Sequence, residues 1–260
     1  MKKNNIYTIQ TIVRVSIVLV LLFVFLNVNA QPAKQYYGCK NSHHHHLSKA
    51  PELTPEELAK VAFSNERSDT IDIIHYNISL DFTQFNQQEI SGSNEISIQS
   101  KMSNVNSITL DLLDLNIDSI TALNTLLNYA YDGNLLTIEF SDALDVDEEL
   151  TFTVFYNGHP TPAASGFGGL VWQSGIAYNL GIGLGATPYN YGRGWFPCFD
   201  TFVEGSTYEF NIISNGGRRA YCIGTFMGED ILPNGDLLRS YEMNQQLPTY
   251  LAGIAVGDYE

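Results

Sequence analysis

A chain of 260 residues holds either one large β domain or two small domains, and is long enough for a substantial core. Its 21 glycines and 15 tyrosines, with few Ala-rich runs, lean towards β structure. With 28 acidic against 13 basic residues the surface repels nucleic acid and anionic membranes, which excludes both as partners.

Lys2 and Lys3 precede an uncharged apolar run from Val15 to Leu26, and Asn27-Val28-Asn29-Ala30 follows it. That is the layout of a secretory signal cleaved after Ala30. The run of about 12 residues is well short of the roughly 20 that a membrane-spanning helix needs. The mature chain is therefore expected to begin at Gln31 and to be secreted or periplasmic, with no stable membrane span. An uncleaved signal anchor is the alternative. Residues 31–69 read as a tail. Four adjacent imidazoles in it, His43 to His46, cannot present an ordered coordination shell, so metal affinity there is incidental. No pair among Cys39, Cys198 and Cys222 has metal-ligand spacing. Cys198 sits among large aromatics and reads as a buried free thiol, with a Cys198–Cys222 bridge as the alternative.

The tail contains one short helix with explicit start signals. Thr54 is its N-cap, Pro55 stands at the first helical position, and Glu57 completes a capping box. Leu58, Val61 and Ala62 supply an apolar stripe expected to dock on the domain. From Thr70 the period becomes two: Ile74, Tyr76, Ile78, Leu80 and Phe82 alternate with polar residues as a half-buried strand requires. Ile96 and Ile98 repeat the pattern, then Ile108, Leu110 and Leu112. Runs at 135–140, 150–156, 208–213, 220–226, 237–243 and 250–256 follow. Asp132-Gly133-Asn134 and Pro233-Asn234-Gly235-Asp236 are turn signals between strands. These features predict an all-β domain of two packed sheets over residues 70–260.

One stretch breaks this rhythm. Gly192 to Asp200, Gly-Arg-Gly-Trp-Phe-Pro-Cys-Phe-Asp, is too aromatic for a surface loop and too rich in Gly and Pro for a regular element. Trp195, Phe196 and Phe199 call for burial, Pro197 removes a donor among them, and Cys198 lies inside the cluster. Arg193 and Asp200 stand at opposite ends, placed to close the segment with an ion pair. On the residues alone this is an aromatic plug under a sheet.

The same segment resembles the Arg-x-x-Phe-Pro-Cys-Phe-Asp motif of the aminopeptidase N family of zinc metallopeptidases (gluzincin aminopeptidases), through Arg193 and residues 196–200. Two further stretches are similar to that family in the same order. Tyr156-Asn157-Gly158-His159-Pro160 matches a strand ending in Tyr-x-Gly-x-Pro. Pro248-Thr249-Tyr250-Leu251 with Ala255 to Tyr259 matches the last strand of the family's N-terminal β domain. The resemblance implies a non-catalytic domain that walls the substrate pocket of a peptidase acting on peptide N-termini. It also implies a helical catalytic domain, here in trans, that binds the zinc.

Catalysis in that family needs Gly-x-Met-Glu-Asn and a helical His-Glu-x-x-His, whose histidines share one helix face around zinc. Neither motif occurs in this sequence, and His75 and His159 are isolated. No catalytic residue, metal site or cofactor is therefore expected in the chain, which reads as a truncated or split product, inactive alone. The resemblance also implies a Gln or Glu five residues before the motif's arginine, where it holds the substrate's α-amino group. That position is Pro188 here, and Thr187 and Asn190 are the nearest polar substitutes. Gly181 to Gly185 reads as a strand connection, since no helix follows it to make a phosphate loop. The acidic cluster from Asp142 to Glu149 reads as a solvated turn. The alternative function is a free-standing secreted β-sandwich that binds carbohydrate or protein, for which exposed Trp172 or Trp195 would be the mark.

Overall fold

The computed structural model describes residues 53–258. The expected secretory signal, Cys39 and the His43–His46 tract lie outside the described residues. Helix α1 (Pro55–Glu66) begins as its residues dictate: Glu57 donates its backbone N–H to Thr54 Oγ1 at 3.2 Å, and Glu57 Oε2 accepts from Thr54 N at 2.7 Å. Its expected apolar stripe docks only in part, through the half-buried Val61. Leu58 and Ala62 are exposed, whereas Ser64 is buried and Arg67, just past the helix end, reaches into the β domain. A short helix is held here by one guanidinium rather than by a greasy face.

The strands run β1 (Ile71–Asp81), β2 (Ile90–Ser100), β3 (Val105–Asp111), β4 (Asn116–Ala122), β5 (Thr125–Leu126), β6 (Tyr129–Tyr131), β7 (Leu135–Leu144) and β8 (Glu149–Gly158). They continue as β9 (Gly169–Gln173), β10 (Ile176–Leu180), β11 (Ser206–Ser214), β12 (Arg219–Cys222), β13 (Thr225–Ile231), β14 (Leu237–Leu247) and β15 (Ile254–Gly257). The all-β expectation holds, but there are three sheets rather than two. An eight-stranded sheet has the order β13-β14-β11-β1-β2-β8-β4-β5, a four-stranded one β12-β15-β10-β9, and a three-stranded one β3-β7-β6. One apolar core draws on all three. The run expected as one strand over 220–226 breaks at Gly224, leaving β12 in the four-stranded sheet and β13 at the edge of the eight-stranded one. The φ of Gly224 is +95° and an added Cβ would lie 2.3 Å from the Glu242 carbonyl oxygen, so only glycine turns the chain from β12 into β13 there. The segment expected over 250–256 likewise starts as a helical turn at Thr249–Leu251 and becomes strand only at Ile254.

Strand β1 lies at the centre of the large sheet, antiparallel to β2 and parallel to β11. Tyr76, Ile78 and Leu80 meet Tyr208, Phe210 and Ile212 of β11 in register, with Tyr76 stacked on Tyr208 at 5.5 Å. The alternation expected from Ile74 onwards starts one residue off. A bulge between Ile73 and His75 buries Ile73 and leaves Ile74 half exposed. Side chains from the approach to β11 satisfy the freed backbone. Glu204 Oε1 accepts from Ile73 N at 3.2 Å, Ser206 Oγ donates to Ile73 O at 2.8 Å, and Thr207 Oγ1 donates to Ile74 O at 3.1 Å.

Glu204 makes this bulge sensitive to pH. Burial, and a hydrogen bond to Asp72 that needs its proton, raise its pKa to about 7. The folded chain thus keeps a proton that the unfolded chain releases at ordinary carboxylate pH. Stability from this group is present below that range and is lost as pH rises through about 7. Urea melts at several pH values should show a Glu204-dependent loss of stability between about pH 4.5 and 7. Glu204→Gln should flatten that fall; an unchanged slope in the variant would contradict the assignment.

Candidate functional site

The Gly192–Asp200 stretch is the plug its composition demands. Trp195, Phe196, Cys198 and Asp200 have no exposed surface, and Phe199 is 1% exposed. Phe196 packs edge-on against Trp195 at 4.6 Å and against Tyr76 at 5.6 Å. The backbone of the plug is pinned at several points. Asn94 Nδ2 donates to Pro197 O at 2.9 Å, Phe199 N donates to Tyr76 Oη at 3.0 Å, and Cys198 exchanges both backbone hydrogen bonds with Asp111. Pro197 thus lacks an N–H where none is needed, and its carbonyl is satisfied.

The two ends close as predicted. Arg193 Nη1 lies 2.9 Å from Asp200 Oδ2. Asp200 also accepts from the backbone of Gly192 (3.1 Å) and Arg193 (3.3 Å), and from Thr249 Oγ1 at 2.9 Å. Burial pushes this carboxyl above the usual range while the Arg193 guanidinium pulls it back, so the ion pair depends on that dense set of donors. The same guanidinium shapes the preceding loop: Nη1 also donates to Asn190 O at 2.6 Å, and Nη2 to Pro188 O at 3.2 Å.

A second ion pair, not expected from the sequence, extends the first. Arg67 Nη2 lies 2.6 Å from Asp111 Oδ2, and that carboxylate also accepts from Asp200 N at 2.9 Å. Arg67 further donates to Thr109 O at 2.8 Å and sits over the Phe199 ring at 5.2 Å. The only hint in the sequence was a lone arginine at a helix end. Its partner lies 44 residues away, and nothing local connects the two. The plug, the end of β3 and α1 are thereby tied into one charged chain.

Above this chain lies a cavity of about 420 Å³, whose wall includes Phe63, Ser64, Arg67, Asp111, Thr187 and Pro188. Thr187 therefore faces a space large enough for a small ligand. Asn190 does not: it is fully buried, and its Nδ2 donates to the Asp200 carbonyl. Pro188, where the resemblance implies an acceptor, presents no polar side chain.

The remaining candidates are structural. Ile182 and Asn190 form an isolated bridge that folds the Gly181–Gly185 connection back on itself. Asp145 to Glu148 make the β7–β8 turn, with Glu148 Oε2 accepting from Asp145 N at 3.0 Å. Cys198 and Cys222 are both free, and burial drives the Cys198 thiol far above its ordinary pKa. His75 Nδ1 is 2.8 Å from Thr207 Oγ1, and burial lowers its pKa despite nearby Glu209, Glu95 and Glu242. Among the described residues no three His, Cys, Asp or Glu side chains gather as a metal would need, and no helix is long and apolar enough to cross a membrane.

Comparison with solved structures agrees with this architecture. The chain is similar to the M1 zinc metallopeptidase from Deinococcus radiodurans (20% identity, TM-score 0.62), covering 72% of this chain and 42% of that one. A mutant of that enzyme bound to a Tyr-Ser-Ala substrate matches with a TM-score of 0.64 at 20% identity, again over 72% and 42% of the two chains. Native leukotriene A4 hydrolase from Saccharomyces cerevisiae matches with a TM-score of 0.60 at 20% identity, over 83% of this chain and 32% of that one. The chain spans less than half the length of these structures. No curated protein matches it by sequence. The family model described as the peptidase M1 N-terminal domain matches residues 73–251, from the bulge of β1 to the helical turn before β15, and the chain belongs to that family through this domain.

Proposed function

We propose that this is a non-catalytic domain of an exported M1-type metallopeptidase acting on peptide N-termini, and that it walls the substrate pocket beside a helical, zinc-binding catalytic domain. The observation that carries this reading is the Arg193–Asp200 clamp. It fixes the carbonyls of Pro188 and Asn190, and so holds the Thr187–Asn190 loop at the edge of the 420 Å³ cavity. A wall must be rigid to select a substrate, and a buried, multiply bonded ion pair supplies that rigidity. Thr187 is the polar group offered to a substrate amine, and Pro188 makes that recognition weaker than a Gln or Glu would. Export is supported by the basic start, short apolar run and small residues of positions 1–30.

The test is to supply, in trans, a family catalytic domain carrying His-Glu-x-x-His and to follow both association and hydrolysis of an alanine or leucine arylamide. Association with a rise in turnover is expected. Pro188→Gln should then lower KM, because an amide restores an acceptor for the ammonium. No association, or a KM indifferent to position 188, would overturn the reading.

A further inference from the structure

Three turns meet at one end of the domain. They are the Phe85–Gln87 helical turn after β1, the β9–β10 hairpin turn at Ser174-Gly175, and the Asn215–Arg218 turn after β11. Between them is a cleft of about 250 Å³, lined by Phe85, Asn86, Gln88, Trp172, Gln173 and Arg218, among others. None of these residues lines the cavity at Thr187.

Arg218 is the unusual member. Among the described residues every other lysine and arginine lies within ion-pair distance of a carboxylate: Lys60, Arg67, Lys101, Arg193, Arg219 and Arg239. Arg218 has no carboxylate partner among the described residues, in a chain with more than twice as many acidic as basic residues. Its guanidinium instead lies over the Phe85 ring at 4.1 Å, and its one long contact is from Nη1 to Asn215 O at 3.5 Å. A guanidinium fixed by an aromatic face keeps its remaining donors in a rigid fork, the geometry that recognises a carboxylate. Trp172 packs against Phe85 and Phe82 at 6.5 and 6.3 Å, and its buried Nε1 has no protein partner. An unpaired buried donor is costly, and here it belongs to a ring that lines the cleft. Asn86 and Gln88 add amides able both to donate and to accept, as hydroxyl recognition needs, and Gln173, whose Oε1 accepts from Tyr178 Oη at 3.0 Å, adds an amide donor.

From this juxtaposition we infer a small-molecule site for a hydroxylated carboxylate of monosaccharide size, such as a uronic acid. Arg218 takes the carboxylate, Trp172 supplies an apolar face, and the amides of Asn86, Gln88 and Gln173 take hydroxyls. The cleft is too small for a longer chain to bury itself, so an acidic glycan would present one terminal or kinked residue to it.

The experiment is titration of the purified chain with D-glucuronate, followed by tryptophan fluorescence and calorimetry. D-glucose serves as the neutral counterpart and succinate as the carboxylate without hydroxyls. Saturable binding of glucuronate is expected, about tenfold or more tighter than glucose or succinate. Arg218→Met keeps an apolar cover on Phe85 while removing the fork, and should weaken glucuronate by about tenfold or more with an unchanged melting transition. Gln173→Ala, at the exposed end of β9, should weaken glucuronate and leave succinate unaffected. No saturable response to glucuronate, equal affinity for glucose, or an Arg218→Met variant that binds as well as wild type would each overturn the assignment.

Discussion

Asp200→Ala should destabilise the domain by about 3 to 5 kcal/mol, because removing one partner strands a buried charge. Three consequences add up. Arg193 loses its carboxylate while its side chain stays 14% exposed. The backbone N–H groups of Gly192 and Arg193 lose their acceptor, and the Thr249 hydroxyl keeps only the Phe199 carbonyl. The Thr187–Asn190 loop also loses the strut that its carbonyls shared with the clamp. Urea melts of wild type and variant measure the loss. Asp200→Asn should fall between the two, since an amide keeps an acceptor but discards the charge. A loss under about 0.5 kcal/mol for Asp200→Ala would mean the clamp is ornamental.

Trp195→Ala should cost about 3 to 5 kcal/mol through the cavity it leaves. The ring has no exposed surface and packs on Phe196, which in turn packs on Tyr76 of the central strand, so the defect opens at the centre of the core. Its Nε1 is buried without a hydrogen-bond partner, so the indole N–H contributes nothing that a phenyl ring would forfeit. Trp195→Phe should therefore cost far less, about 1.5 kcal/mol or below. Equal losses for the two variants would show that the N–H, not the packing, holds the position.

What was legible in the sequence was whatever is encoded locally. The capping box of Thr54 and Glu57, the turn at Asp132-Gly133-Asn134 and the alternation through Tyr76, Ile78 and Leu80 each declare themselves within a few residues. The plug was legible because nothing else explains so many aromatics beside Gly and Pro, and Arg193–Asp200 because the partners are seven residues apart. Illegible were the features that require distant partners. The Ile73 bulge is set by Glu204, Ser206 and Thr207, and Arg67 meets Asp111 across the fold. Strand β4 was missed since its buried positions, Ile120 and Ala122, come late in a polar run. Asn190 shows the limit of reasoning by neighbourhood. It was expected to face a substrate on the strength of its polarity, but it is spent on the Asp200 carbonyl.

The proposed role, shaping a pocket and leaving the chemistry to a catalytic domain, makes a direct prediction for the chain by itself. The most direct test is hydrolysis of an alanine or leucine arylamide by the purified chain alone, with and without added zinc. No turnover should be seen in either condition, since the sequence contains no His-Glu-x-x-His motif to bind zinc and activate a water. Turnover by the chain alone that a chelator abolishes would contradict the account.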